Sequence, residues 1–168
     1  MEGRYNAARA ISRWSSSGIG KRLNLLGYQF RPGRLIVKLF AGIEAEDQHI
    51  VPHDPHNSVQ GRELGLRLQA ETWLDISPSL FLSADAAYGT AFQEYCSLAR
   101  LGLRVRPRLS LGLEVGALGN EEYDAGRAGG FVRLNLRDTE VTVSVGFTGN
   151  YLEDTPSGYV ALGVYRTF

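Results

Sequence analysis

Glu71 with Asp85, and the run Glu121, Glu122 and Asp124, are the carboxylates in this sequence that could be drafted for acid–base work on a sugar. Hydrolysing a glycosidic bond takes two carboxyl groups held about 5 to 9.5 Å apart across the ring. His49, His53 and His56, with Asp47 and Asp54 nearby, have the residue types of a metal site. Pro52 and Pro55 prevent a helix from presenting those imidazoles on one face, and no fixed metal-ligand spacing is matched. The stretch reads as a solvated surface loop. No Gly-x-Ser-x-Gly elbow, phosphate loop or cysteine pair occurs, and Cys96 stands alone, so nucleophilic, nucleotide and disulfide chemistry have no footing. The expectation is a chain with no catalytic residues, no cofactor and no metal.

The segments that must carry these side chains alternate apolar and polar residues with period two, the signature of strands. Val141, Val143, Val145 and Phe147 share one face of Glu140 to Gly149, with Thr142, Ser144, Gly146 and Thr148 on the other. Ala128, Gly130, Val132, Leu134 and Leu136 oppose Arg127, Arg133, Asn135 and Arg137 in the segment before it. Val160, Leu162, Val164 and Phe168 repeat the pattern at the end, interrupted by Arg166. Upstream, the same alternation runs through Lys21 to Phe30, Leu35 to Ile43, Glu63 to Ile76, Leu80 to Tyr88, Ala99 to Val105 and Leu109 to Ala117. The total is about nine strands, each of a length that suits a membrane crossing (about 9 to 11 residues) better than a sandwich.

Connections alternate in length. Pro32-Gly33, Ser77 to Ser79, Pro107-Arg108 and Asp138-Thr139 are tight, whereas Asp47 to Gln60, Gly89 to Glu94, Gly119 to Gly126 and Asn150 to Ser157 are read as long loops. Up-and-down strands then place the tight turns at one end and the loops at the other, as in an outer-membrane barrel. A soluble barrel with its aliphatic face turned inward is the alternative. In either case Glu63, Arg67, Glu71, Asp75, Asp85, Arg100, Arg104, Glu114, Arg127 and Arg133 fall on the polar faces. For a membrane barrel, the reading expects Arg67, Glu71, Trp73, Asp85, Arg100, Arg104, Glu114 and Arg133 to form a polar network in the lumen, because an isolated buried charge is costly.

Twenty glycines against one methionine suit strands that curve or pass close to bulky neighbours. A formal net charge of zero with no sustained basic stripe argues against nucleic acid. The absence of a long apolar run excludes a transmembrane helix and says nothing about membrane strands. Met1 to Gly20 lacks both the strand alternation and the pattern of a signal peptide, and is expected to be a poorly ordered leader before a barrel domain over 21–168. Because single-chain bacterial barrels normally use an even number of strands, the odd count leads to the expectation that strands upstream of Lys21 are missing and that the chain closes incompletely.

At GNEEYDAGR, Gly119 to Arg127, the sequence resembles the BcsS family of bacterial cellulose-biosynthesis proteins. LFLSADAAYGTAF (Leu80 to Phe92), ELGLRLQAETW (Glu63 to Trp73) and the ending YVALGVYRTF agree with it in order, and the likeness runs from about Leu23 to Phe168. The resemblance implies an all-β, antiparallel up-and-down barrel in the bacterial outer membrane, acting without catalysis in cellulose synthesis and secretion. Its partners would be outer-membrane lipid, cellulose glucan and other components of a cellulose synthase or secretion complex, with no nucleic acid. An outer-membrane enzyme acting on polysaccharide or lipid is the alternative. Asn120, Glu121, Glu122, Tyr123, Asp124 and Arg127 are the candidate loop for a partner or glycan: Tyr123 could stack on a sugar ring while the carboxylates accept hydroxyl hydrogen bonds.

Overall fold

A computed structural model describes residues 13–16, 19–48, 61–150 and 155–166. They form one antiparallel sheet in strict sequence order: β1 (Arg13–Ser16), β2 (Ile19–Phe30), β3 (Leu35–Gln48), β4 (Gly61–Asp75), β5 (Leu80–Gly89), β6 (Tyr95–Arg106), β7 (Leu109–Asn120), β8 (Tyr123–Leu136), β9 (Thr139–Asn150) and β10 (Thr155–Arg166). Nine of the ten are long up-and-down strands, in agreement with the period-two count, and β1 is a four-residue addition paired to the start of β2. Among the described residues β10 pairs only with β9, so the sheet is not closed. The expected leader over 1–20 lies mostly outside the described residues, apart from β1 and the first two residues of β2. The histidine loop, His49, His53 and His56, lies outside them too.

The tight turns gather at one end, as the alternation of connections requires. Residues 31–34, 76–79, 107–108 and 137–138 make this turn end. Pro32-Gly33 works as its residue types predict: Gly33 takes a left-handed φ of +64° and the Leu35 amide closes the turn on the Pro32 carbonyl at 3.2 Å. At the opposite, loop end one expectation fails. Gly119 to Gly126 is no long loop, because β7 runs on to Asn120 and β8 starts at Tyr123, with those two residues paired and only Glu121 and Glu122 between them. The Asn120 side chain accepts the Glu122 amide at 2.9 Å and closes the turn locally.

Sorting of side chains is inside-out relative to a water-soluble protein. Leu64, Leu113, Phe147, Val160 and Leu162 are among the most exposed residues, with Val160 79% and Phe147 77% accessible, while Glu44 and Glu114 are each 1% accessible. Arg67, Arg133, Ser83, Ser110, Thr142 and Ser144 are also buried. Strands β2 to β10 thus turn their aliphatic faces outward and their polar faces into the concavity, which rules out the arrangement with an internal aliphatic face. One irregularity modifies the register: Arg104 pairs with Ser110 and Arg106 with Leu109, a bulge that takes up Val105.

Candidate functional site

The buried face is filled by two clusters of charge, one toward each end, with a carboxylate hub between them. The hub is Glu114 on β7. Its Oε2 accepts Arg100 Nε at 2.8 Å and Ser144 Oγ at 2.9 Å, and its Oε1 accepts the Tyr159 hydroxyl at 2.9 Å, with Arg127 Nη2 at 3.8 Å. One carboxylate therefore links β6, β8, β9 and β10 across the interior. Arg127 belongs here, as its place on the polar face of β8 implies, with its guanidinium 5.6 Å from the Tyr159 ring and away from the other residues of the candidate loop.

Toward the turn end, aromatic rings and guanidinium groups interleave. Trp73 and Phe81 stack at 4.4 Å, Phe81 meets Phe131 at 6.5 Å, and the Arg133 guanidinium lies 5.3 to 5.5 Å from all three rings. Arg133 Nε faces Glu140 Oε1 at 3.2 Å. Arg104 lies 5.0 Å from the Phe81 ring, pairs with Asp75 at 2.5 Å and donates to the Pro78 carbonyl at 3.1 Å. A cation against an aromatic face keeps part of the stabilisation that water would otherwise provide.

Toward the loop end, Glu44 receives Arg67 Nη1 at 3.1 Å and has Lys21 Nζ at 3.6 Å. Lys21 also pairs with Glu46 at 3.1 Å and with Glu94. Between this cluster and the turn end, Lys38 and Gln69 hold Glu71 at 3.1 and 2.9 Å. Of the residues expected in the lumen, Arg67, Glu71, Trp73, Asp85, Arg100, Arg104, Glu114 and Arg133 all project from the inward-facing positions of their strands. Lys21, Lys38, Glu44, Glu46, Ser144, Tyr159, Phe81 and Phe131 were missed as members of this network, although the parity of their strands would have found them.

The carboxylates considered for sugar hydrolysis fall in two places, on the wall and at the β7–β8 turn. Glu71 and Asp85 are paired directly in register on adjacent strands. Their side chains therefore leave one wall in the same direction. In the acidic turn, Glu121 is engaged by Gln93 Nε2 at 2.9 Å, whereas Asp124 takes the Tyr95 hydroxyl at 2.5 Å. Gly119 lies between those two in register, where any Cβ would come within 2.7 Å of both side chains. Tyr123 is 39% accessible at the rim. Among the described residues no cluster of three or more His, Cys, Asp or Glu has the arrangement of a metal site.

The family model described as cellulose biosynthesis protein BcsS matches residues 4–168, nearly the whole chain. The chain belongs to the BcsS family. This bears out the resemblance seen at Gly119 to Arg127 and extends it toward the N-terminus. No curated protein matches. A solved structure similar to this BcsS-family chain is that of the outer membrane channel DcaP of Acinetobacter baumannii, at 14% identity and a TM-score of 0.47. That similarity covers 94% of this chain and 55% of the channel, so the chain spans about half the channel's length.

Proposed function

We propose that this BcsS-family chain is a non-enzymatic β-barrel of the bacterial outer membrane that assists cellulose synthesis and secretion. The observation that carries the proposal is the inverted sorting of side chains. An aliphatic band covers the outer face of β2 to β10 and ionised groups fill the interior. In water that band would be an apolar surface far larger than a monomer exposes. In a bilayer it is the surface that hydrocarbon requires, and strands of 10 to 15 residues are long enough to cross at a tilt.

The state of four of the carboxylates supports a role without catalysis. Glu114, Glu44, Glu71 and Asp75 are each held by cations or hydroxyls of the wall itself. A small barrel interior filled in this way braces the wall, and in this reading the glucan is handled at the rims or by partners in the secretion complex. Outer-membrane lipid is the remaining contact.

Fractionation of cells producing the full-length protein tests the reading. The expected result is recovery in the outer membrane, heat-modifiable mobility on gels and no sugar released from cellulose oligomers by wild type or by Glu71→Gln, Asp85→Asn and Glu122→Gln. Recovery in the soluble periplasm would sink the membrane assignment. Sugar release lost in those variants would install the enzyme reading instead.

A further inference from the structure

The arginines of the turn end are distributed in a way that the interior network does not explain. Arg31 and Arg34 flank the β2–β3 turn, Arg106 and Arg108 the β6–β7 turn, and Arg137 opens the β8–β9 turn; all five are exposed. Of the acids at this end, Asp75 is engaged by Arg104 and Glu140 by Arg133, which leaves exposed Asp138 against the five guanidinium groups. The described connections of the loop end have the opposite sign, with Glu94, Glu121 and Glu122 and no Lys or Arg in residues 90–94 or 121–122.

Their height on the wall matters more than their number. Arg31 follows Phe30, Arg106 follows Val105 and Arg137 follows Leu136, each an exposed apolar residue of the outer band. Arg34 donates to the carbonyl of exposed Ile76 at 3.3 Å. The β6 bulge sets Arg106 opposite Leu109, so its guanidinium is carried on the outer face instead of the interior. Arg137 holds a left-handed φ of 52°, a conformation more easily adopted by Gly or Asn. Positive charge therefore begins where the apolar band ends, which in a bilayer is the level of the lipid phosphates.

We infer that the turn-end arginines form a rim that binds the phosphate headgroups of anionic phospholipid, an inference that rests on the membrane reading above. Guanidinium groups hold phosphate oxygens through paired N–H donors, while their aliphatic stems lie along the apolar band. Glucan, being uncharged, has no complement in this rim. The arginines would fix the depth of the barrel and keep the turn end on the side of the membrane that carries anionic phospholipid.

The test uses the full chain refolded in phosphatidylcholine bilayers containing trace spin-labelled phosphatidylglycerol or spin-labelled phosphatidylcholine, reading the motionally restricted fraction of each. A preference for phosphatidylglycerol of roughly fivefold is expected, the factor that about one surface charge supplies. It should vanish at about 0.5 M salt, where the screening length shrinks to a few Å. It should also vanish in the variant with Arg31, Arg34, Arg106, Arg108 and Arg137 all changed to Gln, while the wild-type salt series decides the matter if that variant misfolds. Equal restriction of the two labels by wild type, or a preference that survives salt or the five substitutions, would overturn the rim. Equal restriction together with salt-sensitive binding of polyglutamate would assign the arginines to an acidic protein instead. Restriction of neither label means that the chain is not in the bilayer, and then the membrane reading itself has failed.

Discussion

Phe81 and Phe131 lean toward one another across two intervening strands, ring centroids 6.5 Å apart, over a pair of glycines that face each other in register, Gly102 and Gly112. Phe81 is paired with Gly102 on one side and Phe131 with Gly112 on the other. A Cβ on Gly102 would fall 2.2 Å from the Phe81 ring, and one on Gly112 would fall 2.5 Å from Phe131 and 2.2 Å from the Leu101 carbonyl. Glycine here makes room for the aromatic layer that closes the interior, with Arg133 and Trp73 packed against it.

Gly102→Ala should accordingly destabilise the protein by about 1 to 3 kcal/mol, the usual cost of overpacking. Combining it with Phe81→Leu should recover part of the loss, because the smaller side chain vacates the space that the new methyl needs. Urea unfolding of the two single variants and the double variant measures the coupling. Strict additivity of the three would show that the ring and the glycine do not constrain each other.

The hub at Glu114 makes a second coupling measurable. Glu114→Ala strips Arg100 of its partner in the interior and should cost about 3 to 5 kcal/mol. Tyr159→Phe removes one hydrogen bond to the same carboxylate and should cost about 1 kcal/mol. In the Glu114→Ala background the tyrosine substitution should cost almost nothing, since the hydroxyl has already lost its acceptor. Undiminished sensitivity to Tyr159→Phe in that background would show that β10 is not anchored through Glu114.

How much of this was legible in the sequence depends on height along the strand. In the middle of the wall the outward residues are mostly apolar and the inward ones mostly polar or glycine, so Val141 to Phe147 and Leu64 to Leu68 announce both strand and face by alternation alone. Beyond the apolar band the contrast disappears while the backbone ladder continues. Tyr95 to Leu98, Leu118 to Asn120 and Tyr123 to Arg127 are strand in the structure, yet their outward residues are Tyr, Ser, Gly and Asp. That is why Gly119 to Gly126 read as a loop. The identities of the ion pairs were hidden for a different reason: parity places a charge on the inner wall, but only the closing curvature decides that Glu114 meets Tyr159 on β10.

Depth along the outer face offers a test that water and bilayer answer differently. Leu113 lies near the middle of β7 and is 69% accessible, whereas Leu136 closes β8 beside the turn. Leu113→Arg should cost about 2 to 4 kcal/mol on folding into bilayers and Leu136→Arg only about 0 to 1 kcal/mol. Solvent would tolerate arginine at both positions equally. Equal stability of the two variants in bilayers would therefore remove Leu113 from the hydrocarbon-facing band.

The β5–β6 connection, residues 90–94, turns inward, and the amides of its first three residues are captured by the wall. Thr90 exchanges two hydrogen bonds with Leu66, its amide donating to the Leu66 carbonyl and its Oγ1 accepting the Leu66 amide, both at 2.9 Å. Ala91 N donates to Glu44 Oε1 at 3.3 Å and Phe92 N to Glu63 Oε2 at 3.1 Å, while the Phe92 carbonyl accepts the Glu121 amide at 3.2 Å. Phe92 is buried despite a left-handed φ of 51°, so its side-chain burial and these bonds must offset a backbone cost of about 1 to 3 kcal/mol. Glu63→Ala leaves the Phe92 amide without its acceptor and should release the connection locally. Amide exchange at Phe92 should then accelerate at least about tenfold, equivalent to 1.4 kcal/mol of opening energy, while exchange in the middle of β7 and β8 stays unchanged. Fast exchange of the Phe92 amide already in the wild type would show that the connection is open and that Glu63 does not hold it.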